Sequence, residues 1–299
     1  MERCSIPICY FPSMIIFISD RHNFMLNITC QLHESVAYRL FDVPSRALEF
    51  IDNYRCEIDV IRQHCSSEYL EAQQFSTENH LAPLYAEVYN PYRFSEISVV
   101  VIDTAVLGID SFELCRELEN SPIKKLMLVD EREEPRAIDA LKQGLIDAYI
   151  KKQDLQIFKL IRQQIIFLQY EYFFQISQQV TRLLSLTLPL YLYDIKFSDF
   201  FLNFRKKYDI IEYYLLDDTG RFLMLDQNAN INMLIMKQVE DMRQDDFSEN
   251  DHVFERIFSN KVYSCAYLSQ EILFVLQKQK ILSYHQYLDE LAAEELWVS

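Results

Sequence analysis

Asp20, Asp103, Asp130 and Lys152 each stand at or just past the carboxyl end of a short β-favouring run: Met14–Ile18, Ile97–Ile102, Lys125–Val129 and Asp147–Ile150. In an open parallel sheet the functional crevice lies outside those strand ends, so the four residues would share it. Asp20 and Asp103, brought together, would offer two carboxylates to a hydrated Mg2+, a hard ion that takes oxygen ligands and gives up its waters reluctantly. An aspartate can also attack phosphorus directly and form an acyl phosphate, provided cations spread the charge on the transferred oxygens. Asp103 is the candidate nucleophile and Lys152 the candidate cation. The blander readings are that Asp103 caps the following loop and that Lys152, beside Lys151, is a solvated surface lysine. The ordered company of Asp20, Gly108 and Lys152 favours the site. Asp130 with Glu131, and the run Asp241, Asp245 and Asp246, lack a histidine or a glycine-rich loop nearby and read as solvated carboxylates.

The elements that must hold these residues alternate between strand and helix. Met14–Ile18 precedes a helical pattern over Asn23–Leu32, and Tyr38–Phe41 precedes Arg46–Asn53, with Ser45 as a cap. The polar stretch from about Tyr54 to Ser95, with Pro83, Pro91 and one helical candidate at Glu68–Phe75, reads as an insertion. The near-continuous β-branched run Ile97–Ile102 suits a central strand buried on both faces. Helices at Phe112–Leu118 and Pro135–Gly144 then separate the last two strands. This rhythm predicts an α/β, flavodoxin-like, doubly wound five-stranded parallel sheet with right-handed crossovers. Apolar residues Ile161, Ile165, Leu168, Tyr172, Ile176, Val180 and Leu183 mark one long helix, which Pro189 stops. Beyond it a helix at Ser198–Lys207, a hairpin of Ile210–Leu216 with Arg221–Leu225, and helices at Ile231–Arg243 and Gln270–Lys280 predict a small α+β domain. The expected boundaries are residues 1–153, a linker helix over 154–188, and residues 189–299.

Composition narrows the function classes. Half of the 299 residues are hydrophobic, enough to bury two cores, while 45 acidic against 29 basic residues leave a net charge of −16. That field repels phosphate backbones and anionic headgroups. Residues 201–299, with 10 basic against 17 acidic residues and a net of −7, show no helix-turn-helix or basic stripe. The longest early apolar run is too short to span a bilayer and no secretion signal is evident, so a cytoplasmic protein without a membrane partner is expected. The seven cysteines form no CxxC pair and are expected to be reduced, and no P-loop, GxSxG or HExxH motif occurs. With three glycines in the chain, Gly108, Gly144 and Gly220, each is expected at a turn that other residues would strain.

Ile16-Phe-Ile-Ser-Asp20, Val99-Val-Val-Ile-Asp103 with Gly108 five residues on, and Gly144-Leu-Ile-Asp-Ala-Tyr-Ile-Lys-Lys152, in this order, resemble the receiver domain of two-component response regulators. More narrowly, Lys124-Lys-Leu-Met-Leu-Val-Asp-Glu131 and Glu212-Tyr-Tyr-Leu-Leu-Asp-Asp-Thr-Gly220 with Phe222-Leu-Met-Leu225 resemble the response regulators of Legionella-type quorum sensing. The resemblance implies a phosphoprotein of a phosphorelay: Asp103 as phosphoacceptor, Lys152 as phosphoryl stabiliser, Tyr149 as the switch aromatic, and Mg2+ on Asp20 and Asp103. It implies a sensor histidine kinase or phosphotransfer protein as partner, and no enzymatic activity beyond self-catalysed aspartyl phosphorylation. A homodimer through the long helix is also open. Three departures weaken the match. Ser19 stands where an acid is usual, which lowers metal affinity; Val129 replaces the hydroxyl residue ending strand four; Leu107 replaces the proline before Gly108. A degenerate pseudo-receiver that works without phosphorylation therefore stays open, as does, more weakly, a nucleic-acid-binding regulator acting through the second domain.

Overall fold

The computed structural model describes residues 5–30, 32, 36–58, 81, 84, 87–106, 108–119, 121–183, 188–217, 220–238, 254–256, 262–266, 281–293 and 297–298. The strands in chain order are β1 (Cys9–Tyr10), β2 (Met14–Ile18), β3 (Tyr38–Phe41), β4 (Ile97–Asp103), β5 (Lys124–Val129), β6 (Ala148–Lys151), β7 (Ile210–Leu215), β8 (Phe222–Asp226), β9 (Ile231–Gln238), β10 (Phe254–Arg256), β11 (Val262–Ala266) and β12 (Trp297–Val298). The helices are α1 (His22–Thr29), α2 (Pro44–Ile58), α3 (Ser111–Glu117), α4 (Glu134–Lys142), α5 (Ile157–Leu183), α6 (Ile195–Lys207) and α7 (Tyr284–Ala293). The described residues fall into two units, one within 12–59, 92–176 and 286–299, the other within 1–11, 60–91 and 177–285.

The first unit is the α/β fold that the sequence predicts: five parallel strands in the order β3-β2-β4-β5-β6, with β12 pairing in parallel at the β3 edge. Every residue of β2 and β4 is buried, as their unbroken apolar runs require of strands covered on both faces. Ile15 and Phe17, Val99 and Val101, and Leu126 and Leu128 share one core with Met25 and Ile28 of α1 and with Ile157, Ile161, Ile165 and Leu168 of α5. The period of two along each strand meets the 3.6-residue period of the helices. Local chemistry sets the helix ends. The Asp110 side chain accepts from the Phe112 N–H at 3.0 Å and opens α3. Pro135 sits in the first turn of α4, and Gly144, at φ +72°, closes that helix: its N–H reaches the Leu141 carbonyl while the Leu145 N–H reaches Ala140.

The second unit is built on an antiparallel sheet in the order β1-β7-β8-β9-β11-β10. The expected hairpin is present as β7 and β8. Phe197, Phe201 and Phe204 of α6, spaced four and three residues apart, are buried, and the Phe201 ring lies 4.8 Å from Tyr213 of β7 and 5.1 Å from Phe222 of β8. The helix expected at Ile231–Arg243 is corrected: Ile231–Gln238 is strand β9. Its Met, Leu, Lys and Gln residues favour helix locally, but β9 lies between β8 and β11, and a ladder on both sides overrides that preference. Strand β1, unforeseen in the sequence, pairs Cys9 and Tyr10 with Tyr214 and Tyr213. The helical candidates Glu68–Phe75 and Gln270–Lys280 lie outside the described residues. Among those described, no helix is long and apolar enough to cross a membrane.

All three glycines have positive φ, but their surroundings differ. A Cβ on Gly220 (φ +92°) would lie 1.2 Å from the Tyr191 hydroxyl oxygen, which donates to the Gly220 carbonyl at 3.0 Å, whereas nothing lies within 4 Å of a Cβ on Gly108. Gly220→Ala is therefore expected to lose about 3 kcal/mol, from overlap added to backbone strain, and Gly108→Ala only about 1 kcal/mol. Chemical denaturation followed by circular dichroism checks both; equal losses would contradict the reading.

Candidate functional site

The parallel register brings the strand ends together. Ile18 pairs with Ile102, Asp103 with Leu128, and Val129 with Lys151, so the residues that follow β2, β5 and β6 converge on Asp103. The Asp103 side chain has no solvent exposure, and both of its oxygens accept hydrogen bonds. Lys152 Nζ donates to Oδ1 at 2.6 Å and the Ala105 N–H to the same atom at 2.9 Å. The Ser19 hydroxyl donates to Oδ2 at 2.9 Å and accepts from the Arg21 N–H at 3.1 Å. The main chain of Asp103 is also held, because the buried Ser111 hydroxyl donates to its carbonyl at 3.0 Å and ties α3 to the end of β4.

Lys152 bridges two carboxylates. Its Nζ lies 2.7 Å from Asp130 Oδ2 as well as 2.6 Å from Asp103 Oδ1, and 3.5 Å from the Thr104 hydroxyl. Arg21 faces the same pair from the other side, with Nε 4.0 Å from Asp103 Oδ2 and a terminal nitrogen 4.0 Å from Asp130 Oδ2. The buried Asp103 carboxylate has an ammonium nitrogen 2.6 Å from one oxygen, and a carboxylate oxygen is a group that can attack phosphorus. The flanking cations suit the charge that then develops on the transferred oxygens.

The sequence-derived residues fare differently. Asp103 and Lys152 meet directly. Asp20 is partly exposed, and the group it engages is its main-chain carbonyl, which accepts from the His22 N–H at 3.2 Å, with the His22 ring 3.1 Å away. Ser19, and not Asp20, bonds to Asp103, and no three His, Cys, Asp or Glu side chains among the described residues converge as metal ligands. Asp20 is not one of the described residues that hydrogen-bond or ion-pair with the Asp103 side chain. Tyr149 is half-buried on β6 opposite Met127 of β5, Val129 is fully buried, and Leu107 lies outside the described residues.

Asp130, read from the sequence as a solvated carboxylate, is corrected: it shares Lys152 with Asp103. Arg21 and Thr104 were not foreseen. Asp130 had the right signal in its strand-end position, and its basic partner is distant in sequence. Arg21 directly follows a strand end, but only the turn that Ser19 closes on the Arg21 N–H carries its side chain back over the site. The carboxylates Asp241, Asp245 and Asp246 lie outside the described residues.

No protein-family model matches the chain, and no curated protein matches it. Among solved structures, the Legionella pneumophila response regulator LqsR matches with a TM-score of 0.78 at 35% sequence identity, over 97% of this chain and 97% of that one. An adenylate cyclase from Rhodopirellula baltica (TM-score 0.38, 14% identity, 59% of this chain and 99% of that one) aligns over a shorter stretch. So does a CheY-like response regulator receiver domain protein from Methanospirillum hungatei JF-1 (TM-score 0.33, 13% identity, 54% and 96%), and neither is close enough to carry an argument. Length, identity and the receiver-like sheet around Asp103 agree, and the chain belongs to the family of the Legionella pneumophila response regulator LqsR.

Proposed function

We propose that the protein is a signalling protein whose parallel-sheet unit accepts a phosphoryl group on Asp103 from a sensor histidine kinase or phosphotransfer protein. The antiparallel-sheet unit would be the output, and the protein would act in the cytoplasm in density-dependent regulation, as the resemblance of its motifs to quorum-sensing regulators implies. The observation that carries the reading is the buried Asp103 carboxylate at the end of β4 with Lys152 Nζ 2.6 Å from one oxygen. In the transfer an Asp103 oxygen bonds to phosphorus, the bond from phosphorus to the donor breaks, and the donor leaves with the electron pair. Lys152 then faces the transferred oxygens. Tyr149, on the strand that Lys152 follows, is the residue proposed to sense the new group, and α5, which continues from residues 157–176 of the first unit into 177–183 of the second, the element that passes the change on.

Intact mass after incubation with acetyl phosphate tests this. Wild type is expected to gain one phosphoryl group and Asp103→Asn none; an equal gain in both would remove Asp103 from the role. A specific observation favours a second reading. Both oxygens of Asp103 already have partners and Asp130 already shares Lys152, as befits a pseudo-receiver whose cluster is structural. Under that reading neither protein gains mass, with acetyl phosphate or with a cognate kinase, and Asp103→Asn keeps wild-type activity in cells.

A further inference from the structure

Asp103 and Asp130 carry two negative charges, Lys152 and Arg21 two positive ones, and all four side chains are in mutual reach. The set is neutral without any added ion. Receiver domains generally bind Mg2+, an ion that wants near-octahedral oxygen ligands including one or two carboxylates. At Asp103 three of about four lone-pair sites are committed, Oδ1 to Lys152 and Ala105 and Oδ2 to Ser19, and Oδ2 has the Arg21 Nε 4.0 Å away. The Ser19 hydroxyl, in the place where a second acid would offer charge, is itself used twice, as donor to Asp103 and acceptor from Arg21. A divalent ion at Oδ2 would lie against a guanidinium and bring two positive charges to a balanced set.

We infer that Arg21 is the resident cation of the site, so that phosphoryl transfer to Asp103 runs on Arg21 and Lys152 and needs no divalent metal. The inference rests on the phosphoacceptor reading above. With acetyl phosphate, an Asp103 oxygen bonds to phosphorus, the bond from phosphorus to the acetyl oxygen breaks, and acetate leaves with the electron pair; no proton moves. The carboxylate's single charge becomes the double charge of the acyl phosphate, and the planar guanidinium, whose side chain is 49% exposed and can swing, meets two of the new oxygens with parallel N–H groups. Arg21 thereby becomes a positioning and charge-offsetting residue that the receiver resemblance does not supply.

Two measurements test it. Mn2+, a probe for Mg2+ sites, is titrated against the full chain with the free ion read by electron paramagnetic resonance. Wild type and Asp103→Asn are expected to give the same titration, while Arg21→Ser gains a site that disappears in Arg21→Ser with Asp103→Asn. Mn2+ bound by wild type and released by Asp103→Asn overturns the inference whatever the phosphoryl chemistry. Phosphoryl uptake from acetyl phosphate is then timed by intact mass in EDTA and in Mg2+. Equal wild-type rates in the two buffers are expected, with Arg21→Gln slower by roughly tenfold or more in both and Arg21→Lys recovering part of the loss. A wild-type rate that collapses in EDTA overturns the inference. Uptake absent from wild type in both buffers would instead defeat the phosphoacceptor reading, with the Mn2+ titration still deciding the metal question.

Discussion

Lys152→Met is expected to slow phosphoryl uptake by about 100-fold and to destabilise the parallel-sheet unit by about 3 kcal/mol. Both effects come from one atom. Lys152 Nζ, on a side chain only 5% exposed, lies 2.6 Å from the Asp103 carboxylate, which has no exposure at all. Methionine fills the same volume and keeps the apolar stem, so the change isolates the charge. Asp103 would keep its bonds from Ser19 and Ala105, which limits the loss, and Asp130, 36% exposed, would turn to water at little cost. The penalty is that of a buried charge deprived of its counter-charge, so removing both partners should be gentler. Asp103→Asn with Lys152→Met is expected to recover about 2 kcal/mol relative to additivity. Urea denaturation of the four proteins gives the cycle and timed intact mass gives the rates. A Lys152→Met protein that unfolds with wild type and loads at the wild-type rate would mean that Lys152 belongs to the surface, as its neighbour Lys151, exposed and paired with Glu134, does.

In the sequence, spacing from Gly144 and Tyr149 favours Lys152 over Lys151 as the cation, and in the structure it is Lys152 whose Nζ lies 2.6 Å from Asp103 while Lys151 is exposed. Strand β4 was readable from its residues: Ile97–Ile102 is β-branched except for Ser98, which suits a strand buried on both faces and leaves Asp103 at its end. The parts of the site that could not be read depend on side-chain reach between elements distant in sequence. Asp130 looks like any acid in an acidic loop until Lys152 is laid beside it by the pairing of β5 with β6. Arg21 gives no periodic signal at all. Strand β9 failed for a further reason: Ile231-Asn-Met-Leu-Ile-Met-Lys-Gln fits both periods, and only its partners on β8 and β11, which no local window contains, decide between them.

The long helix shows how a correct period can still mislead about purpose, and it carries the second large effect. Read as a linker, α5 would leave the parallel sheet intact when its stripe is cut; instead its first turns belong to the core under the site. Ile157, Ile161, Ile165 and Leu168 pack with Val99 and Val101 of β4, the strand that ends on Asp103. Ile161 has no solvent exposure, so Ile161→Ala removes buried methyl groups and leaves a cavity that the strands cannot close, an expected loss of about 3 kcal/mol. In a unit of this size that lowers the thermal midpoint by roughly 6–12 °C. Phe167, on the other face of the same helix and 55% exposed, is the control: Phe167→Ala is expected to shift stability by no more than about 0.5 kcal/mol, although it deletes the larger side chain. Thermal melts of the two variants decide whether α5 is a tether or part of the fold. If Ile161→Ala melts with wild type, α5 is dispensable to the sheet. If it melts early yet loads phosphoryl normally in the cold, the helix supports the strands that hold Asp103 without touching the chemistry, and a signal written at Asp103 has only a packed core to cross before it reaches α5.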